Sequence, residues 1–212
     1  MTMQPNADAA QTWNKRFEVA GYLFGTEPNA YLRKQAGRWK PGGRLLCVAD
    51  GEGRNSVWLA RQGFRVDAFD IAAVGVRKAA ALAAAANVSV NFSVADGDKL
   101  AWPADVYDGI AAIFVQFADP PMRARQFANM MRALKPGGVL VLQGYTPRQL
   151  HYKTGGPPFV DHLYTPALLR EAFASMQIEE LVDYEDEVAE GTQHRGRSAL
   201  IGMVARKQPR VG

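Results

Sequence analysis

The chain has 212 residues, 48% of them hydrophobic, and a formal net charge of +4, which suits one globular domain with a sizeable core. It has no apolar run long enough to span a membrane and no signal-peptide pattern at the N-terminus, so we expect a cytoplasmic protein. The basic residues are scattered, which does not indicate nucleic-acid binding, and the single cysteine, Cys47, excludes an internal disulfide.

The first 40 residues predict a short lead, two helices and a connecting segment. Residues 1–10 are small and polar and predict a disordered lead. Trp13 and Phe17, four residues apart, favour an amphipathic helix, and residues 28–39 favour a second one. Between them, residues 21–29 place aromatic side chains between glycines. That segment is either a packed surface loop or a lid over a ligand.

The central feature of the sequence is an apolar strand that breaks into a glycine-bearing turn, Ala-Asp-Gly-Glu-Gly-Arg-Asn, at residues 49–55. A strand is predicted over residues 44–48 and a helix over 56–61. Gly51 and Gly53 therefore lie where the chain reverses, and backbone without a Cβ atom can approach a ligand there. The N–H groups of the first helical turn can bind an anionic group. This turn favours a nucleotide site.

A second strand, predicted over residues 65–70, ends at Asp70, 20 residues beyond Asp50. An acid at this spacing from a glycine turn is the pattern that grips ribose hydroxyls. Helices and strands then alternate, as in a parallel sheet covered on both faces. The further predicted elements are a helix over 71–86, a strand over 88–95 followed by Asp96, a strand over 107–115 ending at Gln116, a helix from Pro120 capped by Asp119, a strand over 139–144, a helix from Pro166 capped by Thr165, and an antiparallel edge hairpin with strands around Leu181 and over 199–205. Residues 145–163 show few regular signals, and a loop of that length is usually functional or disordered.

The turn at residues 49–55 resembles motif I of class I S-adenosylmethionine-dependent methyltransferases, in the small bacterial branch that includes the tellurite-resistance and thiopurine methyltransferases. Two positions depart from the pattern: Cys47 stands where most members have an acid, and Ala49 where they have a glycine. Asp50 or Glu52 could supply the missing carboxylate from a neighbouring position. The resemblance implies a doubly wound α/β fold with a mostly parallel seven-stranded sheet, helices on both faces and an antiparallel last strand. It also implies one methyltransferase domain over residues 1–212, with N-terminal helices and a lid within 11–40.

The motifs and the resemblance together give a set of candidate site residues. For the cofactor, S-adenosylmethionine, they are Trp13, Ala49, Asp50, Gly51, Gly53, Arg54, Asn55, Asp70, Ile71, Asp96 and Gln116. Asp96 corresponds to the position that meets the adenine ring, although a plain turn aspartate fits the sequence equally well. Residues 119–122, Asp-Pro-Pro-Met, are superficially similar to the D-P-P-Y loop of amino-group methyltransferases, but they fit a helix start better because methionine cannot stack like tyrosine.

A His-Arg pair followed by a second Arg lies near the C-terminus, at His194, Arg195 and Arg197. On composition alone it is a solvated hairpin tip. Tellurite-resistance methyltransferases carry a similar cluster at the acceptor pocket, and the resemblance therefore implies a catalytic role for these three residues. Arginines there would hold a soft anion while the histidine orients the nucleophile or takes its proton.

The predicted function is methyl transfer to a small-molecule acceptor such as a thiol, a chalcogen oxyanion or another soft nucleophile. Because the methyl donor is already activated, the protein must only align the acceptor and exclude water, and no catalytic triad or metal is expected. Two alternatives remain: a non-catalytic S-adenosylmethionine-binding regulator and an NAD(P)-dependent oxidoreductase. The sequence names neither the acceptor nor the oligomeric state.

Overall fold

Seven strands form one sheet in the part of the chain that the computed structural model describes, residues 5–209. They are β1 (Arg44–Val48), β2 (Arg65–Asp70), β3 (Asn91–Val94), β4 (Tyr107–Ile113), β5 (Leu134–Tyr145), β6 (Met176–Glu190) and β7 (His194–Lys207). Their order in the sheet is β3-β2-β1-β4-β5-β7-β6. The pairs among β1 to β5 are parallel, whereas β7 runs antiparallel to both β5 and β6. The predicted mostly parallel sheet with an antiparallel last strand is confirmed.

Two α-helices precede β1, the others lie between strands, and some of them begin at a side-chain cap. The helices are α1 (Pro5–Phe17), α2 (Ala30–Gln35), α3 (Arg54–Arg61), α4 (Ala73–Ala85), α5 (Pro120–Ala133), α6 (Gln149–Tyr152) and α7 (Pro166–Ala172), with short 3-10 helices at Ala36–Arg38 and Val160–His162. The Asp119 side chain accepts from the Met122 amide, and the Thr165 hydroxyl accepts from the Leu168 amide. Both predicted helix starts are confirmed. No helix within residues 5–209 is long and apolar enough to cross a bilayer.

Alternate residues of each strand pack into different cores, as the two-residue period of a strand requires. In β1, Leu46 and Val48 join a cluster with the helices α5 and α7. Leu45 and Cys47 join a second cluster with α2 and α3. The sheet is therefore covered by helices on both faces, and the carboxyl ends of its central strands remain as an edge at which a ligand can bind.

The predicted disordered lead over residues 1–10 is wrong for residues 5–10, which belong to α1; residues 1–4 lie outside the described part. Proline suits a first helical position because it has no N–H to leave unbonded. The helix is also tied to the body of the protein, since the Asn14 side chain accepts a hydrogen bond of 2.9 Å from the Val74 amide at the start of α4. This tertiary anchor is not visible in the local composition.

The hairpin of β6 and β7 is much longer than the apolar runs around Leu181 and over residues 199–205 predict. Its register continues to the pair Glu190 and His194, at a tip turned by Gly191 with φ of 64°. The extended part is acidic on β6 and basic on β7, so hydrophobic periodicity could not reveal it. Its length carries the tip to the first 29 residues, where the Thr192 amide donates to the Leu23 carbonyl at 3.0 Å.

Candidate functional site

A cavity of about 560 Å³ lies at the carboxyl edge of the sheet. Its floor comes from the residues that end or follow β1, β2, β3 and β4, because parallel strands bring their carboxyl ends to the same edge. Helix α1 and residue Phe24 form a wall on one side, and His194 at the hairpin tip lines it as well. Three separate parts of the chain thus enclose one space.

All the predicted cofactor-binding residues line this cavity except Gly53 and Gln116. Those that do are Trp13, Ala49, Asp50, Gly51, Arg54, Asn55, Asp70, Ile71 and Asp96.

Gly53 and Gln116 have structural roles instead. Gly53 precedes α3 with φ of 87°, and a Cβ atom there would lie 2.6 Å from the Cβ of Ala79, so its small size lets α3 and α4 approach. The Gln116 side chain is buried. Its amide group donates to the carbonyls of Tyr145 and His162 and accepts from the Tyr145 backbone amide. Since its hydrogen-bonding groups are used inside the protein, Gln116 joins the end of β5 to the segment that follows.

Asp50, one of the two candidates for the carboxylate missing at Cys47, lines the cavity. Asp50 accepts a short hydrogen bond from the Ser56 hydroxyl, while its Oδ1 atom is buried without a hydrogen-bond partner among the described residues. Burial raises the pKa of Asp50 to about 7, against the hydrogen bonds from Ser56 that favour the charged form. Cys47 itself is buried within the core, and burial raises the pKa of its thiol.

Glu52, the other candidate for that carboxylate, holds the segment over residues 21–29. One of its oxygens accepts from the Leu23 amide at 2.7 Å, and Lys78 forms an ion pair with the other. A second tie joins the Asn55 side chain to the Asn29 amide at 2.9 Å. The turn after β1 therefore anchors the segment that was expected to be a loop or a lid.

Asp70 and Asp96 lie where the spacing predicted, at or just after the ends of β2 and β3. The Asp70 oxygens accept from the amides of Gly51 and Ala72, at 2.9 and 2.8 Å. A carboxylate has about four acceptor positions, so these bonds fix its orientation and leave capacity for a ligand. Asp96 accepts from the Asp98 amide at 3.0 Å.

Aromatic side chains form the wall contributed by the first 24 residues. Trp13 stacks on Phe17 with 5.5 Å between ring centroids, and Phe24 lies edge-on to Phe17 at 6.3 Å. The guanidinium of Arg16 lies 4.3 Å from the centroid of the Trp13 ring. This wall shields the turn after β1 from water.

His194 lies in a buried polar cluster with Glu190 and Arg54. Its Nδ1 atom is 3.9 Å from a Glu190 oxygen that also pairs with Arg54 at 2.7 Å. Burial lowers the pKa of His194, and the neighbouring carboxylate only partly opposes this, so the imidazole is neutral near pH 7. Burial disfavours the charged form of Glu190, but His194 and Arg54 outweigh it and hold the pKa of Glu190 at about 2.

Arg195 and Arg197 do not reach the cavity, which corrects their assignment to the acceptor. Both side chains are exposed, and Arg197 pairs with Glu185 on the neighbouring strand at 2.7 Å. The physical reason is the period of a strand: residues 195 and 197 point away from the face that residue 194 occupies. Of the three predicted catalytic residues, the structure brings only His194 to the site.

Sequence reasoning missed three site residues, Phe24, Phe114 and Glu190. Phe24 and Phe114 place their ring centroids 4.6 Å from the His194 ring. Glu190 also accepts from the Asn29 side chain at 2.9 Å, so one carboxylate links the hairpin, α3 and the segment over 21–29. The charge run over residues 185–190 was the available signal, but only the register with β7 distinguishes Glu190 from its exposed neighbours. Within residues 5–209 no group of three or more potential ligands could hold a metal ion.

Residues 45–138 match a family model described as a methyltransferase domain. Over these residues the chain is similar to methyltransferase domains. In sequence the chain is 30% identical over 124 residues to the ubiquinone/menaquinone biosynthesis C-methyltransferase UbiE of Geobacter sulfurreducens. The aligned region covers 55% of this chain and 47% of UbiE. The chain thus spans about half the length of the curated relatives it matches.

Solved structures share the fold of this chain at low sequence identity. A protein from a study of the conversion of a disulfide bond into a thioacetal group during echinomycin biosynthesis superposes with a TM-score of 0.78, at 17% identity, over 99% of this chain and 95% of that chain. TehB from Haemophilus influenzae superposes with a TM-score of 0.71, at 17% identity, over 94% of this chain and 67% of the TehB chain. The N-methyltransferase NodS from Bradyrhizobium japonicum, in complex with S-adenosyl-L-homocysteine, superposes with a TM-score of 0.69, at 14% identity, over 93% of this chain and 97% of the NodS chain. These likenesses establish the class I methyltransferase fold that motif I indicated.

Proposed function

We propose that the protein transfers the methyl group of S-adenosylmethionine to a small-molecule acceptor. The observation that carries this proposal is a matched pair of unsatisfied buried groups in the cavity. Asp50 Oδ1 and Arg54 Nη1 are both buried without a hydrogen-bond partner among the described residues, and both side chains line the cavity. Buried polar atoms of this kind require a partner. An acceptor oxygen and a guanidinium that line one cavity suit the ammonium and carboxylate groups of a bound amino acid moiety.

The other lining residues fit the rest of S-adenosylmethionine. Asp70 has the position and the remaining acceptor capacity for ribose hydroxyls. Asp96 lies beyond β3, and the rings of Phe69 and Phe117 line the same cavity, which suits a flat purine. When bound, S-adenosylmethionine supplies a methyl group on a sulfonium, and the chain has only to bind, orient and exclude water.

His194 is the residue that we assign to the acceptor. It lines the cavity from the hairpin tip, which is far from the turn after β1 along the chain. Its buried imidazole is neutral near pH 7 and can take a proton. For the acceptor we propose a thiol or another soft nucleophile that must lose a proton, because a neutral histidine can take that proton. A chalcogen oxyanion has lost the support that Arg195 and Arg197 gave it, because both lie outside the cavity.

Binding of the cofactor is tested by titration calorimetry of the full chain. Asp70→Asn should weaken S-adenosylmethionine binding about tenfold or more, since a hydrogen bond to a charged group contributes roughly 1.5–3 kcal/mol. NAD(P)H should not displace the ligand, which would separate this function from an oxidoreductase. Equal affinity of the variant and the wild type would contradict the assignment.

Catalysis is tested with the neighbouring pair His194→Ala and Arg195→Ala. We expect the first to lower the rate of S-adenosylhomocysteine release about 10²-fold while it spares cofactor affinity. Arg195→Ala serves as the matched control and should turn over normally, because its side chain is exposed outside the cavity. The acceptor is first sought in a panel of thiols, halides, selenite, tellurite and small amines. Binding without methylated product from any acceptor would favour the non-catalytic regulator.

A further inference from the structure

A second cavity, of about 890 Å³, lies beside the one proposed for the cofactor. One wall is formed by residues 24–31 with Arg33 and Lys34 of α2. The opposite wall is formed by the β6 hairpin between Val182 and Gly191, and Phe114, Gln143 and Leu200 complete the lining. Its volume lies in the range of small-molecule binding sites.

The two cavities meet at a partition of aromatic rings. Phe24 and Phe114 line both cavities, and the His194 ring, which lines the first, has its centroid 4.6 Å from each of theirs. Ring side chains can change rotamer without a change of fold. A molecule in the second cavity can therefore present one atom at His194 while its body remains outside the cofactor space.

Phe114 holds its place in this partition at a cost in backbone energy. Its φ is 55°, in the left-handed region that a bulky residue rarely adopts. The conformation is fixed by a 2.8 Å hydrogen bond from the Phe114 amide to the Gln143 carbonyl and by stacking on Tyr145 at 4.7 Å. Strain of this kind persists where the surroundings impose it, commonly at a functional site.

The two tyrosines that line the second cavity offer ring surface, because their hydroxyls are hydrogen-bonded within the protein. The Tyr31 hydroxyl donates to Glu180 at 3.0 Å, and the Tyr184 hydroxyl accepts from Gln143 at 2.7 Å. Both tyrosines line the cavity together with Phe24 and Phe114. Their polar ends are thus engaged, and a flat apolar body can pack against the rings.

The charges around the second cavity oppose an anionic occupant. Its lining contains four carboxylates, those of Glu27, Asp186, Glu187 and Glu190, and two cationic groups, those of Arg33 and Lys34. One of these cations, Arg33, is already paired with Glu27 at 3.0 Å, and Glu190 is paired with Arg54. The remaining lining charges are the carboxylates of Asp186 and Glu187 and the ammonium of Lys34. An anion entering here would meet excess negative charge.

We infer that the second cavity binds the methyl acceptor and that this acceptor is an uncharged aromatic molecule carrying a hydroxyl or thiol, with the reacting atom at the Phe24–His194–Phe114 partition. This inference rests on the proposed function. In the reaction, the acceptor's oxygen or sulfur forms a bond to the methyl carbon, and the bond to the sulfonium sulfur breaks with its electron pair left on that sulfur. The acceptor's proton goes to the imidazole nitrogen of His194 that faces away from Glu190, so charge and atoms balance.

The test measures binding of 2-naphthol to the full chain saturated with S-adenosylhomocysteine, by titration calorimetry. Val182 is exposed and lines the second cavity but not the first. Val182→Trp should fill the cavity and weaken 2-naphthol binding at least about tenfold, equivalent to about 1.4 kcal/mol, with S-adenosylhomocysteine affinity unchanged. Val94→Trp is the matched control, since Val94 is an exposed valine on the other edge strand that lines neither cavity. If Val182→Trp fails to fold, Ala30→Trp fills the same cavity from the opposite wall.

The outcomes separate this inference from the proposed function. Absence of 2-naphthol binding, equal binding to Val182→Trp and wild type, or displacement of S-adenosylhomocysteine by 2-naphthol would overturn the second cavity as the acceptor site. Turnover of selenite or tellurite but not of 2-naphthol or 2-naphthalenethiol would overturn it too, and would leave methyl transfer intact. Failure of S-adenosylmethionine and S-adenosylhomocysteine to bind would instead overturn the proposed function. The same 2-naphthol titrations on the ligand-free protein would then show whether the second cavity binds an aromatic molecule.

Discussion

Asp50 shows how a single residue can serve a ligand at the expense of the folded protein. Its carboxylate is buried beside a second acid, Asp70, and the only side chain that hydrogen-bonds it among the described residues is Ser56. Such a group is poorly solvated until a cation arrives. Stability and binding therefore make opposite demands at this position.

The pH dependence of stability should reveal this conflict. The folded pKa of Asp50, about 7, lies above the ordinary value of 3.8, so the contribution of this group to stability is complete below about pH 4 and is lost as the pH rises through 7. Asp50→Asn should therefore raise the melting temperature of the ligand-free protein at pH 8 and change it little at pH 4. Each kcal/mol is worth about 2–4 °C for a chain of this size. Thermal unfolding at the two pH values measures the effect.

The same variant should bind S-adenosylmethionine about tenfold or more weakly, since it loses a charged hydrogen bond. Asp161→Asn, at an exposed aspartate, is the control and should show no such difference between pH 4 and pH 8. A lower melting temperature of Asp50→Asn at pH 8 would show that the buried carboxylate does not destabilise the ligand-free protein.

At the scale of elements, the strand-turn-helix unit around residues 44–61 was predictable because its signals are local. An apolar run, two glycines and a helical stretch specify β1, the turn and α3, and the spacing to Asp70 gives β2. The extent of β6 and the role of Glu190 were not predictable, since they depend on a cross-strand register that charged residues do not encode. The same register decides which of residues 194, 195 and 197 faces the cavity. The family resemblance indicated these three residues, but it could not show which of their side chains face the cavity.

The packing of α3 against α4 gives a prediction with a close internal control. Gly53 and Gly63 have the same φ of 87°, but only at Gly53 would a Cβ atom meet the neighbouring helix, at 2.6 Å from the Ala79 Cβ. Both alanine substitutions incur the left-handed backbone cost of about 1–2 kcal/mol. Gly53→Ala should lose a further 1–3 kcal/mol or so to overpacking. Chemical denaturation compares the two, and equal destabilisation would show that the helices can separate freely.

The segment over residues 21–29 gives a second prediction at this scale, through Glu52. Replacing this buried carboxylate by an amide removes the charge that Lys78 pairs with and weakens the bond from the Leu23 amide. In Glu52→Gln we expect hydrogen exchange at the Leu23 amide to be about tenfold faster, which corresponds to about 1.4 kcal/mol. Glu187→Gln, on the exposed face of β6, should leave that amide unchanged. An unchanged exchange rate in Glu52→Gln would show that the segment is held by other contacts.

At the scale of the whole molecule, the cavity draws on parts of the chain that are far apart in sequence. Helix α1, the turn after β1 and the hairpin tip at His194 all line it. The turn and the hairpin tip are joined through residues 21–29, because Asn29 bonds to both Asn55 and Glu190 and Thr192 bonds to Leu23. The same segment contacts α1 through the rings of Phe24 and Phe17. Such linked elements should respond together to a ligand, since the ligand contributes its binding energy only when all three are in place.

Ligand binding should therefore protect these three regions in concert. With S-adenosylmethionine at about 100 times its dissociation constant, linkage adds about 2.7 kcal/mol to stability. We expect slower hydrogen exchange in residues 9–29, 49–56 and 186–198, measured by mass spectrometry with and without the ligand. The α7 helix, which lines neither cavity and packs into the core cluster of Leu46 and Val48, is the internal reference and should gain no more than this global increment. Protection confined to residues 49–56 would mean that the hairpin tip and the N-terminal wall act independently of the cofactor, and it would remove the physical basis for linking Glu190 and His194 to the same site.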